Sequence, residues 1–149
     1  KNSEGDCWYT GKVITVNTLD TLLLLHAGFM VIGFLSMVSG ASAAMFMRRK
    51  AWWFRFHKGA GFFGTYCILA GVVASVSMIA LSAGEHFRIT HHYVGLITAA
   101  VGVCTLLLGI VQFKVKDQAA RIRSIHRWSG RFTLLMAFVA VGSGLLIIL

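Results

Sequence analysis

Residues 21–46 read TLLLLHAGFMVIGFLSMVSGASAAMF, a run whose only ionisable side chain is that of His26. About 20 consecutive apolar residues are enough to cross the hydrocarbon layer of a bilayer as an α-helix. The run is long enough to span a membrane, and it stops at the basic triplet Arg48, Arg49 and Lys50. A histidine inside such a run is informative, because ionisable groups are costly in lipid and usually face the interior of a helix bundle.

The same pattern, an apolar run with a histidine near its start, occurs four times in the chain. The predicted spans cover residues 19–47, 51–81, 90–113 and 124–149. Their histidines are His26, His57, His91 and His126. Helices satisfy all backbone hydrogen bonds within lipid. The sequence therefore predicts an all-α membrane protein, an antiparallel up-and-down bundle of four transmembrane helices.

The residues before the first span are polar and are expected to form a separate segment. Residues 1–18 should face outward, with a short extended stretch at Val13–Val16, and residues 19–149 should form the membrane domain. Thr18 or Asp20 is the expected N-cap of the first span. Cys67 and Cys104 lie inside apolar runs and are expected to serve as packing residues.

Composition supports a membrane protein of one domain. Hydrophobic residues make up 57% of the 149 residues and charged residues 13%, whereas soluble domains have roughly 25% charged residues. The mean hydropathy is +0.76. A net charge of +9 can indicate nucleic-acid binding, but here the basic residues cluster at the ends of the spans. We therefore expect the lipid bilayer, and no nucleic acid, as a partner.

The distribution of charge predicts the orientation of the bundle. Basic residues crowd the first and third loops and their flanks: Arg48, Arg49, Lys50, Arg55, Lys58, Lys114, Lys116, Arg121, Arg123, Arg127 and Arg131. By the positive-inside rule, loops 48–58 and 114–127 are cytoplasmic. Both termini and the loop containing Glu85 then face outward.

The positions of the four histidines predict two pairs. Consecutive spans are antiparallel, so His26 and His91 share one half of the bilayer, while His57 and His126 share the other. Alternate helices of a four-helix bundle are diagonal, and imidazoles from diagonal helices can hold one six-coordinate haem iron between them. The spans lack the carboxylates of a di-metal site, and no CxxCH is present for covalent haem attachment. We therefore expect four iron ligands and no catalytic side chain.

Glycines in line with these histidines distinguish them from their neighbours. Gly95, Gly102 and Gly109 lie within about 40° of His91 around an ideal helix, and similar stripes accompany the other three histidines. Such stripes could leave room for a porphyrin, although small residues also let membrane helices approach closely. His92 lies about 100° from the stripe and is expected to be an accessory or surface residue. His86, before the third span, is expected to be a solvated loop residue.

Three segments of the chain resemble the transmembrane domain of the cytochrome b561 family. HAGFMVIGF at 26–34 resembles the signature of that family's second helix, while HHYVG at 91–95 and HRWSG at 126–130 resemble segments of its fourth and fifth helices. The resemblance covers residues 19–149, the four central helices of a family that usually has six. It implies two non-covalent b haems and transmembrane electron transfer. His26 with His91 would hold one haem, and His57 with His126 the other.

Several functions remain compatible with this pattern. The leading hypothesis is a di-haem b-type cytochrome, alone or as a subunit of a larger redox complex, with a redox protein, a quinol or a small-molecule reductant as partner. One alternative is a haem-free structural subunit whose histidines bridge helices. Another is a reductase linked to quinol, ascorbate or ferric ion, so the sequence does not decide whether the protein is an enzyme.

Overall fold

The computed structural model describes residues 3–82 and 90–148, and the side chains of residues 17–82 and 90–147. Within these ranges the chain forms four α-helices: α1 (Ser3–Phe46), α2 (Trp53–Leu81), α3 (Thr90–Val111) and α4 (Ala119–Ile148). Each helix contains a stretch long and apolar enough to cross a membrane. The predicted all-α fold with four membrane-spanning helices is confirmed.

The first helix begins much earlier than expected. Helix α1 starts at Ser3 and continues without a break into the first span, so the extended stretch predicted at Val13–Val16 is wrong. The N-cap predicted at Thr18 or Asp20 is wrong for the same reason. An extended segment needs a partner strand for its backbone hydrogen bonds, whereas a helix satisfies them internally. β-branched residues favour strands only where a sheet exists to receive them.

The other helix ends differ from the prediction by a few residues. Helix α2 begins at Trp53, α3 ends at Val111, and α4 begins at Ala119 rather than at residue 124. The basic stretch AARIR before His126 is therefore helical, in keeping with the high helix propensity of alanine and arginine. Most of the turn predicted between α2 and α3 falls in residues 83–89 and lies outside the described residues, as does His86.

The helices form a bundle in which neighbours in sequence pack most closely. Helix α1 packs against α2 and α4, and α3 packs against α4 and α2, so α1 lies diagonally across from α3, and α2 from α4. The most extensive contacts are between α1 and α2 and between α3 and α4. The bundle thus consists of two helical hairpins, α1/α2 and α3/α4, that pack together.

Small residues bring the helices of each hairpin together. A Cβ added at Gly33 of α1 would lie 2.9 Å from the carbonyl oxygen of Gly64 of α2, and one added at Gly64 would lie 2.9 Å from the carbonyl oxygen of Gly33. In the other hairpin, the buried hydroxyls of Thr105 and Thr133 form a hydrogen bond of 3.2 Å. Close backbone approach and interhelical hydrogen bonds are typical of membrane bundles.

Large apolar side chains cover the outside of the bundle. Phe46 and Leu146, for example, are 79% and 78% exposed. The buried residues are mostly small, as expected where lipid rather than water surrounds the protein. Cys67 is buried, as predicted for a packing residue, but Cys104 is exposed on α3, so that expectation is wrong for Cys104.

Candidate functional site

The four histidines near the starts of the spans meet as two pairs inside the bundle. The ring centres of His26 and His91 lie 6.2 Å apart with the ring planes at 90° (the 26/91 pair). Those of His57 and His126 lie 6.1 Å apart with the planes at 81° (the 57/126 pair). All four residues are half-buried. Each pair joins diagonal helices, α1 to α3 and α2 to α4.

Three of these rings are oriented by a backbone carbonyl on the other helix of the same hairpin. The Nδ1 atom of His26 lies 2.9 Å from the oxygen of Gly71, that of His57 3.0 Å from the oxygen of Gly40, and that of His126 2.9 Å from the oxygen of Thr105. A carbonyl can only accept a hydrogen bond, so Nδ1 carries the proton. In a neutral ring, Nε2 then has a free lone pair, the state required of a metal ligand.

His91 has a different partner. Its Nδ1 lies 3.0 Å from the hydroxyl oxygen of Ser143 on α4. The Ser143 hydroxyl in turn donates to the carbonyl oxygen of Ala140, at 3.0 Å. With its proton engaged there, the oxygen is free to accept from His91, which again leaves Nε2 unprotonated.

The two pairs lie at different depths in the bundle. On α1, His26 and Gly40 mark the two levels, and on α2 they are marked by Gly71 and His57. Both intervals are 14 residues, which corresponds to roughly 21 Å along a helix. The hydrocarbon layer is about 30 Å thick, so one pair lies towards each side of the membrane.

Glycines make room for two of the rings. A Cβ added at Gly109 of α3 would lie 3.1 Å from Cε1 of His126, and one added at Gly144 of α4 would lie 2.9 Å from Cε1 of His91. Each glycine therefore accommodates a histidine of the neighbouring helix, rather than clearing space on the face of its own histidine as the sequence predicted. The reason is that the helices of a hairpin are antiparallel, so the far end of one stripe lies beside the histidine of the other helix.

Open space does remain beside two of the candidate ligands. Gly61 and Gly95 lie one turn after His57 and His91, are half-buried, and would present an added Cβ to no atom within 4 Å. Half-buried Gly142 of α4, with no candidate ligand one turn before it, is equally open, so open space is not specific to the histidine pairs. Gly130, one turn after His126, differs, because a Cβ there would contact Cγ2 of Thr105 at 3.7 Å.

The spacing within each pair suits a metal with two imidazole ligands. Metal–imidazole bonds of about 2.0–2.1 Å, with each nitrogen ~1.1 Å from its ring centre, place the ring centres roughly 6.3 Å apart. The observed separations of 6.2 and 6.1 Å agree. No cluster of three or more histidine, cysteine or carboxylate side chains suited to a metal ion occurs in the described part of the chain. Pairs of histidines suit an iron whose other four ligands come from a porphyrin.

Comparison with known protein families also indicates a haem protein. The family described as eukaryotic cytochrome b561 matches residues 25–148, more than four-fifths of the chain. The chain belongs to the cytochrome b561 family. No curated protein and no solved structure matches it. Proteins of the cytochrome b561 family bind haem b and transfer electrons across membranes, so this integral membrane protein is a haem b electron carrier.

Within this cytochrome b561 fold, His92 lies beside the 26/91 pair. Its ring centre is 6.4 Å from that of His91, and its Nδ1 is buried without a hydrogen-bond partner in the described residues. Of the two adjacent histidines, His91 is the one in ring contact with His26, at 6.2 Å.

The positive charge of this cytochrome b561 is concentrated at the end of the bundle next to the 57/126 pair. Phe54 at the start of α2 and Phe113 just after α3 are in ring contact at 5.7 Å, which brings the two basic segments to the same end. Residues 47–58 and 112–131 carry eleven lysines and arginines, all exposed, and one carboxylate, that of Asp117. The guanidinium carbon of Arg131 lies 5.1 Å from the ring centre of Trp128, a cation–π contact.

Proposed function

We propose that this cytochrome b561 carries two haem b groups, one held by the 26/91 pair and one by the 57/126 pair, and relays electrons from one side of the membrane to the other. The observation that carries the proposal is the pair of diagonal histidine contacts at 6.2 and 6.1 Å. Each has the separation of two imidazoles on one metal. Their levels, roughly 21 Å apart along α1, give one site to each side of the bilayer.

The residues of the chain orient the imidazoles of each pair. Hydrogen bonds from Nδ1 fix the ring orientation and leave Nε2 as the ligating atom. Haem b, when bound, supplies a one-electron ferric/ferrous couple. The two histidines of each pair would hold the haem iron, and such sites would support electron transfer rather than oxygen binding.

The orientation of the relay follows from charge. We propose that the basic end, with loops 48–58 and 114–127, faces the cytoplasm, because excess lysine and arginine is retained on that side. Both termini are then outside. We propose that residues 1–18, of which residues 3–18 belong to α1, face outward, and that residues 19–149 form the membrane domain. The partner at either face is a redox protein, a quinol or a small-molecule reductant, and the protein acts alone or within a larger redox complex.

Counting haem in purified protein tests the proposal. Wild-type protein should contain two haem b per chain by the pyridine haemochrome assay, with the absorption of six-coordinate b-type haem. His26→Ala and His91→Ala should each lose one haem, and His57→Ala and His126→Ala should each lose the other, because each variant removes one of the two histidines that would hold that haem.

His92→Ala is the matched control, since it removes an adjacent imidazole from the same helix. It should retain both haems. One haem per chain in the wild type would contradict the two-site proposal, and equal loss in His92→Ala and His91→Ala would contradict the assignment of His91.

A further inference from the structure

Of the four candidate ligands, only His91 is oriented by a side chain. The other three rings donate to backbone carbonyls, which are fixed by their helices and can only accept. The partner of His91 is the Ser143 hydroxyl, which can accept or donate. The state of His91 is therefore controlled by one replaceable group.

We propose that Ser143 is a positioning residue that keeps His91 in the tautomer able to bind iron and lowers the reduction potential of the haem held by the 26/91 pair. The inference rests on the proposed function, because it takes His91 to be an iron ligand. It concerns a residue that the sequence pattern did not single out.

The hydrogen bonds around Ser143 have a defined direction. The Ser143 hydroxyl has one proton, and the carbonyl oxygen of Ala140 lies 3.0 Å away to receive it. The lone pairs of Oγ then face Nδ1 of His91, 3.0 Å away, which must carry a proton to complete the contact. The carbonyl of Ala140 thus fixes the hydroxyl, and the hydroxyl fixes the imidazole.

The opposite arrangement would disable the site. If the hydroxyl turned and donated to Nδ1, the neutral ring would carry its proton on Nε2 and could not bind iron through that atom. A hydroxyl can donate to Nδ1 in this way, whereas a backbone carbonyl oxygen can only accept a hydrogen bond. The Ala140 carbonyl supplies the missing constraint, because turning the hydroxyl would break its bond to that oxygen.

The hydrogen bond from His91 to Ser143 would also affect an iron bound by His91. A hydrogen bond donated by the non-ligating nitrogen makes the ligating nitrogen more basic. A more basic ligand stabilises the ferric state more than the ferrous state and so lowers the reduction potential. Loss of the Ser143 hydroxyl should therefore raise the potential of one haem and leave the other unchanged.

His91 has little freedom to find a substitute hydrogen-bond partner. Gly144 lies against the ring so closely that an added Cβ would be 2.9 Å from Cε1. The ring is held between this backbone and the opposite ring of His26, 6.2 Å away between centres. A ring deprived of the hydroxyl would keep its place while losing its hydrogen bond.

The test compares Ser143→Ala with Ser143→Thr and Ser129→Ala in the full-length, haem-loaded protein. Threonine keeps a hydroxyl that can bond to the preceding turn. Ser129 is the matched control: it is half-buried on α4 and its hydroxyl donates to the carbonyl oxygen of His126 at 3.2 Å, but it does not contact an imidazole nitrogen. Haem content, redox titration and the ferric electron paramagnetic resonance spectrum are measured for each variant. Repeating them in a His126→Ala background leaves only the haem of the 26/91 pair.

Ser143→Ala should keep two haems and shift one midpoint upwards, by up to about a tenfold change in the ferric-to-ferrous ratio at fixed ambient potential, or about 59 mV for one electron. The resonance signal of the same haem should shift, Ser143→Thr should restore both values, and Ser129→Ala should change neither. If Ser143→Ala loses a haem, the Ser143→Thr variant shows whether the loss is due to the missing hydroxyl. Retention of that haem at the wild-type potential supports the role of the hydroxyl, and a second loss contradicts it.

Failure of the role proposed for Ser143 can be distinguished from failure of the proposed function. Two haems with unchanged midpoints and spectra in Ser143→Ala would overturn the role of Ser143 and leave the proposed function standing. Wild-type protein without a haem at the 26/91 pair would overturn the proposed function itself.

Discussion

At the scale of single residues, each candidate ligand forms a hydrogen bond with the other helix of its own hairpin. His26 is held by α2 and His57 by α1, while His91 and His126 are held in the same reciprocal way by α4 and α3. Three of the four acceptors are backbone atoms, which most substitutions leave in place. The rings should therefore be more sensitive to added volume than to changes in side-chain polarity.

A methyl group at Gly144 tests this sensitivity. Gly144→Ala should weaken or abolish haem binding at the 26/91 pair, because the new Cβ would lie 2.9 Å from the ring of His91, and such overpacking costs about 1–3 kcal/mol. Haem content and the absorption spectrum of purified protein measure the effect. Gly142→Ala is the control on the same helix, since a Cβ there meets no atom within 4 Å. Equal haem content in the two variants would mean that the ring has more room than the structure shows.

The sequence predicts which histidines meet but not what orients them. Depth and helix order are enough to pair His26 with His91 and His57 with His126, since antiparallel spans alternate the side from which they enter the membrane. The hydrogen-bond acceptors of the four Nδ1 atoms cannot be recognised in the sequence in this way. A backbone carbonyl belongs to every residue, and Ser143 looks like Ser129 or Ser75, which also occupy helices and bond to their own preceding turn.

At the scale of helices, apolar length predicted four spans and missed their ends. The spans are set by the thickness of the lipid. The ends depend on weaker preferences, and α1 and α4 both extend through polar or basic residues that the hydrophobic pattern excludes. The glycines were predicted as a group, but only the packing reveals which of them serve helix crossing and which accommodate a ring.

The α1/α2 crossing gives a prediction about stability. Gly33→Ala should destabilise the bundle by about 1–3 kcal/mol, because its Cβ would lie 2.9 Å from the carbonyl oxygen of Gly64 and 3.0 Å from Cγ1 of Ile68. The thermal unfolding midpoint in detergent should fall. Gly28→Ala, on the same helix and in open space, should leave the midpoint unchanged or raise it slightly through its better helix propensity. A midpoint for Gly33→Ala as high as that of Gly28→Ala would show that the crossing can widen at little cost.

At the scale of the whole molecule, the bundle is two hairpins joined at two points by the histidine pairs. Contacts between hairpins are fewer than contacts within them, yet each pair takes one histidine from each hairpin. Bound haem would then tie the hairpins together, since a ligand that binds only the assembled state stabilises it.

Cutting the connection between α2 and α3 tests this role. With a protease site introduced in residues 83–89 and cleaved after purification, the two haem-loaded halves should remain together on a sizing column in mild detergent. The same cut in a His26→Ala, His57→Ala double variant should release them, because neither site can then bridge the hairpins. The uncut double variant is the control for folding. Halves of the double variant that stay together as firmly as those of the wild type would show that helix packing alone holds the bundle.

The interval of 14 residues between His26 and Gly40, and between His57 and Gly71, also restricts how the chain can change length. One residue added inside either interval would turn the rest of the helix by about 100° and advance it by about 1.5 Å. In α1, for example, His26 and Gly40 could then no longer both lie beside their partners on the other helices. Both sites therefore depend on the same 14-residue interval, and an insertion or deletion within it should disturb both at once, whereas a substitution acts at one site only.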